Sequence, residues 1–170
     1  MRLYEPSVLD QIVLALIGEK PRHGFAVSKE LETDPSLSAV IRARRPLVYR
    51  SINSLVDAKL IRETKTEPGD QGSPRVVYAT TTTGKNLTTT WLNVTVDHPR
   101  DARIELLAKF VLRNRRNLTN QQLAERQKKL FENQAAKLQV SANLATDDVR
   151  LVSLWRVETI NAMIRLLEAV

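Results

Sequence analysis

The sequence contains no cysteine and only two histidines, His23 and His98. The absence of cysteine excludes disulfide bonds, thiolate zinc sites and cysteine nucleophiles. A zinc site would therefore need carboxylate ligands in addition to the histidines, and we find none at suitable spacings. We expect neither a metal ion nor a cofactor.

Long apolar runs are also missing, and we expect no leader sequence. No apolar stretch reaches the roughly 18–20 residues that a membrane-spanning helix needs. Glu5 and Asp10 interrupt the N-terminal region, and no small-residue cleavage site follows its apolar run. We therefore expect a cytoplasmic protein that does not contact a membrane.

Patterns that carry catalysis are absent as well. The sequence shows no nucleophile–base–acid set, no glycine-rich phosphate loop and no cluster of metal-binding residues, so we expect that the protein is not an enzyme. Its formal charge of +7 favours a polyanionic partner, although basicity alone is weak evidence.

Three helices are predicted in the first sixty residues. Ser7 and Asp10 stand close to capping-box spacing at the start of a buried helix that runs to Ile17 and is ended by Gly18. A second, short helix is predicted over GFAVSKELE. A third is predicted from Pro46 to Lys59, with one buried stripe formed by Val48, Ile52, Leu55 and Val56.

The hydrophobic pattern then changes from helical to alternating. LIRETKT alternates apolar or small residues with charged ones, and RVVYAT is β-branched and aromatic, so both segments predict strands. EPGDQGSP between them contains two glycines and two prolines and predicts the loop of a hairpin. A fourth helix is predicted from a cap at Thr81 to about Asn93.

The segment Val96–Arg100 contains a histidine and a proline and is the predicted domain boundary. Three further helices are expected after it: Asp101–Arg113, a helix from a capping box at Thr119 and Gln122 to about Ala145, and Val149–Ala169 capped by Asp147 or Asp148. The run Arg113, Arg115 and Arg116 is interpreted as a solvated helix end rather than a second DNA site.

The last helix is apolar around most of its circumference. A surface helix of a monomer usually needs an apolar stripe of only ~100°. The excess predicts that a second subunit covers this helix, so we expect a homodimer. The alternative is that neighbouring helices of the same chain cover it.

Three helices followed by a hairpin predict a winged helix-turn-helix. In that fold one helix braces against the DNA backbone and a following helix enters the major groove. The expected architecture is mainly α with a small β hairpin. It comprises a winged helix-turn-helix DNA-binding domain over residues 1–95 and a C-terminal helical dimerisation domain over residues 96–170.

Cationic and polar residues stand where this fold meets DNA. Arginine suits the role because its planar fork pairs with phosphate or with guanine O6 and N7. The alternative interpretation is a solvated basic loop before an ordinary helix. The candidate DNA-binding residues are Arg42, Arg44, Arg45, Tyr49, Arg50 and Asn53 at the third helix, and Lys65 and Arg75 on the hairpin.

Three segments of the sequence resemble the PadR-type transcriptional regulators. VLALIGEKPRHGFAVSKEL is similar to the opening of that family, LVYRSINSLVDAKLI to its recognition helix, and SPRVVYATTTTG to its second wing strand. The resemblance covers roughly residues 8–92, with a looser likeness in DARIELLAKFVL. Phe25 replaces the usual tyrosine, Arg50 the usual proline, and Lys59 the usual glycine, which suggests a slightly different helix end.

The resemblance implies a homodimeric regulator, usually a repressor, that binds double-stranded DNA at an inverted-repeat operator. It also implies that a small aromatic or amphiphilic effector can be sensed. Trp155 is the candidate effector-binding residue, because tryptophan stacks on aromatic ligands; Trp155 and Trp91 could equally fill a core.

Two further alternatives remain open at the level of sequence. His23 could be a proton switch, but the simpler interpretation is that it hydrogen-bonds and orders the turn between the first two helices. The whole domain could also be a winged-helix adaptor for another protein, without DNA binding, because fold does not fix function.

Overall fold

A computed structural model of the chain describes residues 4–68 and 74–170. Within these ranges no helix is both long and apolar enough to cross a membrane. The helices in chain order are α1 (Val8–Glu19), α2 (Gly24–Thr33), α3 (Pro35–Val40), α4 (Arg45–Asp57), α5 (Thr82–Asn93), α6 (Pro99–Ala102), α7 (Glu105–Asn114), α8 (Gln121–Leu144) and α9 (Asp147–Glu168). The strands are β1 (Arg22–His23), β2 (Ile61–Glu67) and β3 (Arg75–Thr80).

Helix α1 is the centre of the N-terminal core. Every side chain from Ile12 to Ile17 is buried, because α4, α5, β3 and α7 pack around the helix. The predicted capping box forms at its start. The backbone N–H of Ser7 donates to Asp10 Oδ2 over 2.9 Å, and the N–H of Asp10 donates to Ser7 Oγ over 3.2 Å.

The predicted hairpin forms the larger part of a three-stranded antiparallel sheet in the order β1–β3–β2. Ile61 pairs with Thr80 at one end of the hairpin and Glu67 with Arg75 at the other. Most of the predicted loop, residues 69–73, lies outside the described residues. Strand β1 was not predicted, since two residues are too short to show an alternating pattern.

Helices α2 to α5 follow the predicted order with one addition. The unpredicted α3 begins at Pro35 and is capped by Asp34, whose Oδ1 accepts from the N–H groups of Ser36 and Leu37. After α4, Lys59 adopts a φ of 58°, the left-handed conformation that glycine favours at helix ends. The different helix end that Lys59 suggested is therefore not observed.

The C-terminal helices differ from prediction at their starts. The expected helix Asp101–Arg113 is divided into α6 and α7. The predicted capping box at Thr119 is wrong: Asn120 is the N-cap of α8, and its side chain instead contacts α7 at Phe110 and Asn114. The N-cap of α9 is Thr146, so the prediction of Asp147 or Asp148 is also wrong, and both aspartates lie in the first turn.

Side chains of α7 and α8 hold the backbone between α5 and α6. Gln127 is fully buried; its Oε1 accepts from the N–H of Val96 over 2.7 Å, and its Nε2 donates back to Val96 O over 2.9 Å. At the end of α5, Leu92 O accepts from Arg113 and Asn93 O from Arg126 in the same way. In the linker, Val94 O accepts from Lys109 and Asp97 O from Gln134. The linker is thus fixed along its length.

Helix α7 contributes to both hydrophobic cores of the molecule. Ala108 and Leu112 pack into the core around α1, whereas Leu106 and Phe110 pack with α8 and α9. Because one helix belongs to both cores, the boundary between residues 95 and 96 stays a prediction.

Arg115 joins the end of α7 to the first three helices. Its guanidinium donates to Glu19 Oε1 and Oε2 and to Asp34 Oδ2, each over 2.8 Å, and also to Glu30 Oε1. We call these four residues the Arg115 cluster. Glu19 and then Glu30 raise the pKa of Arg115, although burial lowers it.

The two neighbouring arginines are also held internally. Arg116 donates to the carbonyl of Ala15 over 2.9 Å, and Arg113 is buried against Leu92 and Asn93. The interpretation of this run as a solvated helix end is therefore wrong. The sequence could not show this because the carboxylates of the Arg115 cluster lie 81 to 96 residues away along the chain.

We expect Arg115→Met to lower the free energy of unfolding by about 1–3 kcal/mol, since it keeps most of the side chain's length but removes the cation that three carboxylates share. Glu19 and Glu30 keep a second cation in Arg22, whereas Asp34 loses the ion pair with Arg115. Urea denaturation of the purified variant would measure the change. Arg165→Met, at an exposed position without an ion pair in the described chain, is the matched control and should cost much less. Equal stability of the two variants would contradict a structural role of the cluster.

Candidate nucleic-acid interface

Helix α4 is buried on one side and open to solvent on the other. Val48, Ile52 and Leu55 are fully buried in the core shared with α1. Tyr49, Arg50 and Asn53 are exposed, as predicted. At 100° per residue, Arg45, Tyr49 and Asn53 follow one another on the same side of the helix, at i, i+4 and i+8.

The N-terminal end of α4 concentrates positive charge. Its N-cap is Arg44, no side chain caps its free N–H groups, and no acidic residue occupies its first turn. The helix dipole adds partial positive charge at this end. Four arginines are exposed here and form no ion pair with any residue in ranges 4–68 and 74–170: Arg42, Arg44, Arg45 and Arg50.

The start of α2 is packed closely against the exposed side of α4. His23 Nδ1 accepts from the N–H of Ala26 over 3.0 Å and so caps α2, which confirms the simpler interpretation of this histidine. A Cβ on Gly24 would lie 2.9 Å from Cε1 of Tyr49 and 3.0 Å from Cδ1 of Ile52. A side chain at this position would displace Tyr49 or Ile52, so glycine allows the close approach that places the next residue, Phe25, beside α4.

Phe25 lies between the arginines of two different elements. The guanidinium carbon of Arg45, on α4, is 4.7 Å from the centroid of the Phe25 ring, and that of Arg75, on β3, is 5.4 Å from it. Both distances fall within the range of a cation–π contact. Together with Tyr49 and Tyr78, these residues line an open cleft of about 440 Å³.

Tyr78 is a residue of this cleft that the sequence analysis did not select. It is half-buried on β3, and burial, followed by the negative charge of Glu63, raises the pKa of its hydroxyl. The hydroxyl therefore stays protonated at neutral pH and can donate a hydrogen bond. The alternating pattern of β3 predicts that the Tyr78 side chain is buried. No local pattern in the sequence predicts that it lies beside α4.

The two candidate residues of the hairpin occupy different environments. Arg75 is half-buried and lines the same cleft as Arg45 and Tyr49. Lys65 is exposed outside that cleft, and its ammonium lies 2.6 Å from Oε1 of Glu67. This hydrogen bond lowers the pKa of Glu67. The positive charge of Lys65 is thus paired with the negative charge of the Glu67 carboxylate.

The remaining candidates lie on either side of this cleft. Arg42 and Arg44 line a second open cleft of about 880 Å³, formed with residues of α2 such as Ser28 and Glu32, and Arg45 borders both clefts. Arg50 and Asn53 line neither cleft and stand exposed on α4.

The two tryptophans have different surroundings. Trp91 is half-buried, donates from Nε1 to Glu105 over 3.0 Å and lies 5.2 Å from the ammonium of Lys109. Trp155 on α9 is 67% exposed and borders an open cleft of about 450 Å³ with Pro99, Leu138 and Ile160. An effector role for Trp155 stays a prediction.

Comparisons with known proteins agree with this architecture. The sequence model of the transcriptional regulator PadR-like family matches residues 13–90. Among solved structures, PadR of Bacillus subtilis in complex with operator DNA has a TM-score of 0.51 and 19% identity, over 96% of each chain. The PadR-like transcriptional regulator BC1756 of Bacillus cereus has a TM-score of 0.42 and 16% identity, over 95% of this chain and 98% of that one.

No curated protein sequence matches the chain. The identities to the solved structures are low, so the likeness to Bacillus subtilis PadR establishes the fold, a winged helix domain followed by a helical region. The likeness to the family rests on the match over the N-terminal residues, which contain α4 and the hairpin. Residues 13–90 of the chain are thus similar to the PadR-like family of transcriptional regulators.

Proposed function

We propose that the protein is a homodimer that binds double-stranded DNA at an inverted-repeat operator and represses transcription until a small-molecule effector releases it. The observation that carries the proposal is the group of exposed arginines at the N-terminal end of α4, which form no ion pair within the described residues and lie beside exposed Tyr49 and Asn53. No catalytic step is part of this function.

The exposed side of α4 has the chemistry that a duplex requires. Side chains at the N-terminal end of a recognition helix reach base edges, while neighbouring cations neutralise phosphates. We expect Arg45 and Tyr49 to contact base edges, and we expect Arg42 and Arg44, which precede the helix, to contact phosphates. Bacillus subtilis PadR, which shares the fold, was solved with operator DNA, and this supports the same partner here.

Arg45→Ala and Tyr49→Ala are each expected to weaken operator binding roughly 5- to 100-fold, because each removes a contact to DNA from α4. The operator would first be selected from a random duplex pool with the purified protein, and binding then measured by gel shift at several salt concentrations. Affinity of the parent should fall steeply as salt rises.

Arg165→Ala on α9 is the control for this experiment and should bind like the parent. Unchanged binding by both α4 variants would show that the recognition surface is assigned wrongly. A parent protein without measurable affinity for duplex at low salt would favour the adaptor function instead.

Helix α9 supports the dimer. Val149, Leu151, Val152 and Leu166 are between 48% and 68% exposed in the single chain. Neighbouring helices of the same chain therefore leave a large part of its apolar surface open, and a second copy would cover it.

Leu151→Lys should shift the protein from dimer towards monomer, because a charged ammonium would have to be buried between the subunits. Sedimentation velocity at matched concentrations would measure the change. Glu158→Lys, on the polar side of the same helix, should leave the dimer intact. A parent that sediments as a monomer, or a Leu151→Lys variant that remains fully dimeric, would contradict this assignment.

The cleft beside Trp155 is the proposed effector site. Its indole is exposed next to Pro99, Leu138 and Ile160, a surface suited to a flat aromatic or amphiphilic molecule. The same cleft is bordered by His98 and lies next to the linker that α7 and α8 hold, so a ligand here is close to the connection with the winged helix.

We expect anilinonaphthalene sulfonate, an amphiphilic aromatic probe, to quench tryptophan fluorescence on binding this cleft and to weaken operator binding. Trp155→Phe should abolish the quenching, whereas Trp91→Phe should retain it. Quenching that persists in Trp155→Phe and disappears in Trp91→Phe would place the site elsewhere.

A further inference from the structure

Phe25 occupies an unusual position for an apolar residue. It is half-buried on the first turn of α2, outside the buried core, and its ring contacts the arginines of two other elements. Arg45 belongs to α4 and Arg75 to β3, and the two stand 30 residues apart in sequence. One aromatic ring therefore connects the recognition helix with the hairpin.

Residues at the start of α2 help to fix the position of the Phe25 ring. His23 caps the helix and stacks beside Phe25, with ring centroids 6.2 Å apart and planes inclined by 20°. Gly24 permits contact between the backbone of α2 and the ring of Tyr49. The backbone that carries Phe25 is thus held by contacts on both sides.

A guanidinium held over an aromatic face keeps its hydrogen-bonding edge free. The attraction acts through the negatively charged face of the ring, while the five N–H donors lie in the plane of the guanidinium. The contact therefore restricts the rotamers of Arg45 without using its donors. An arginine ordered in advance loses less conformational entropy when it binds a phosphate or a base.

We propose that Phe25 is a positioning residue for DNA recognition, which orders Arg45 of the recognition helix and Arg75 of the wing before DNA arrives. The inference rests on the proposed function, because it deepens the same DNA-binding site. The proposal adds a residue with an apolar side chain to this surface. Composition alone would point only to the cationic residues there. It also couples helix and wing, so that the loss of one ring affects two DNA contacts.

The test compares Phe25→Leu with Phe25→Trp. Leucine keeps apolar volume but removes the π face, and we expect operator affinity to fall roughly 3- to 30-fold. Tryptophan keeps a π face and should restore most of the affinity. Both variants should unfold at a temperature close to that of the parent, because the ring lies outside the main core.

A double-mutant cycle separates positioning from simple packing. If Phe25 acts through Arg45, Phe25→Leu should cost much less affinity in an Arg45→Ala background than in the parent. Additive effects, or a loss of affinity that is matched by a loss of thermal stability and not restored by tryptophan, would overturn the proposal.

A readout without DNA distinguishes this inference from the proposed function. In the free protein, the ring current of Phe25 should shift the Nε–Hε signals of Arg45 and Arg75 in the NMR spectrum, and Phe25→Leu should remove both shifts. If the parent shows these shifts but binds no duplex, the DNA-binding function is wrong, and so is the role of Phe25 in DNA recognition. A parent that binds duplex but lacks the shifts would overturn only the role of Phe25.

Discussion

The contact between α4 and α1 determines which side chains of α4 face the interface. Val48, Ile52 and Leu55 enter a core in which α1 is covered on all sides, and α4 cannot rotate about its axis without exposing them. Burial of these side chains is the main source of free energy that fixes the helix. The opposite side, with Arg45, Tyr49 and Asn53, faces solvent as a result. The close approach of Gly24 then adds Phe25 and the start of α2 to the same surface.

Arginine serves two different purposes in this molecule. Arg113, Arg115 and Arg116 hold α7 against the winged helix through carboxylates and backbone carbonyls. The arginines that precede and begin α4 are exposed and keep their charge available to a partner. Both groups are runs of closely spaced arginines in the sequence. What separates them is the set of acceptors that the fold brings near, and those acceptors come from distant parts of the chain.

Features that depend on neighbouring residues could be predicted from the sequence. The Ser7–Asp10 capping box, the Thr81 cap and the buried stripe of α4 all follow from side chains within one or two helical turns. Local spacing predicted the wrong cap where a contact with another helix was formed instead. At the start of α8, Asn120 replaces Thr119 as the cap while its side chain contacts α7. The place of Phe25 between Arg45 and Arg75 also depends on tertiary packing, and no local pattern predicts it.

The linker held by α7 and α8 has a mechanical consequence. Five carbonyl groups between Leu92 and Asp97 accept hydrogen bonds from side chains of those two helices, so the connection cannot act as a flexible tether. A tilt of α8 would carry the winged helix with it as one rigid body. In a paired molecule, the separation of the two recognition helices would then be set by the angle at which the long helices cross, and a change of that angle by a few degrees would alter the spacing of half-sites that can be bound together.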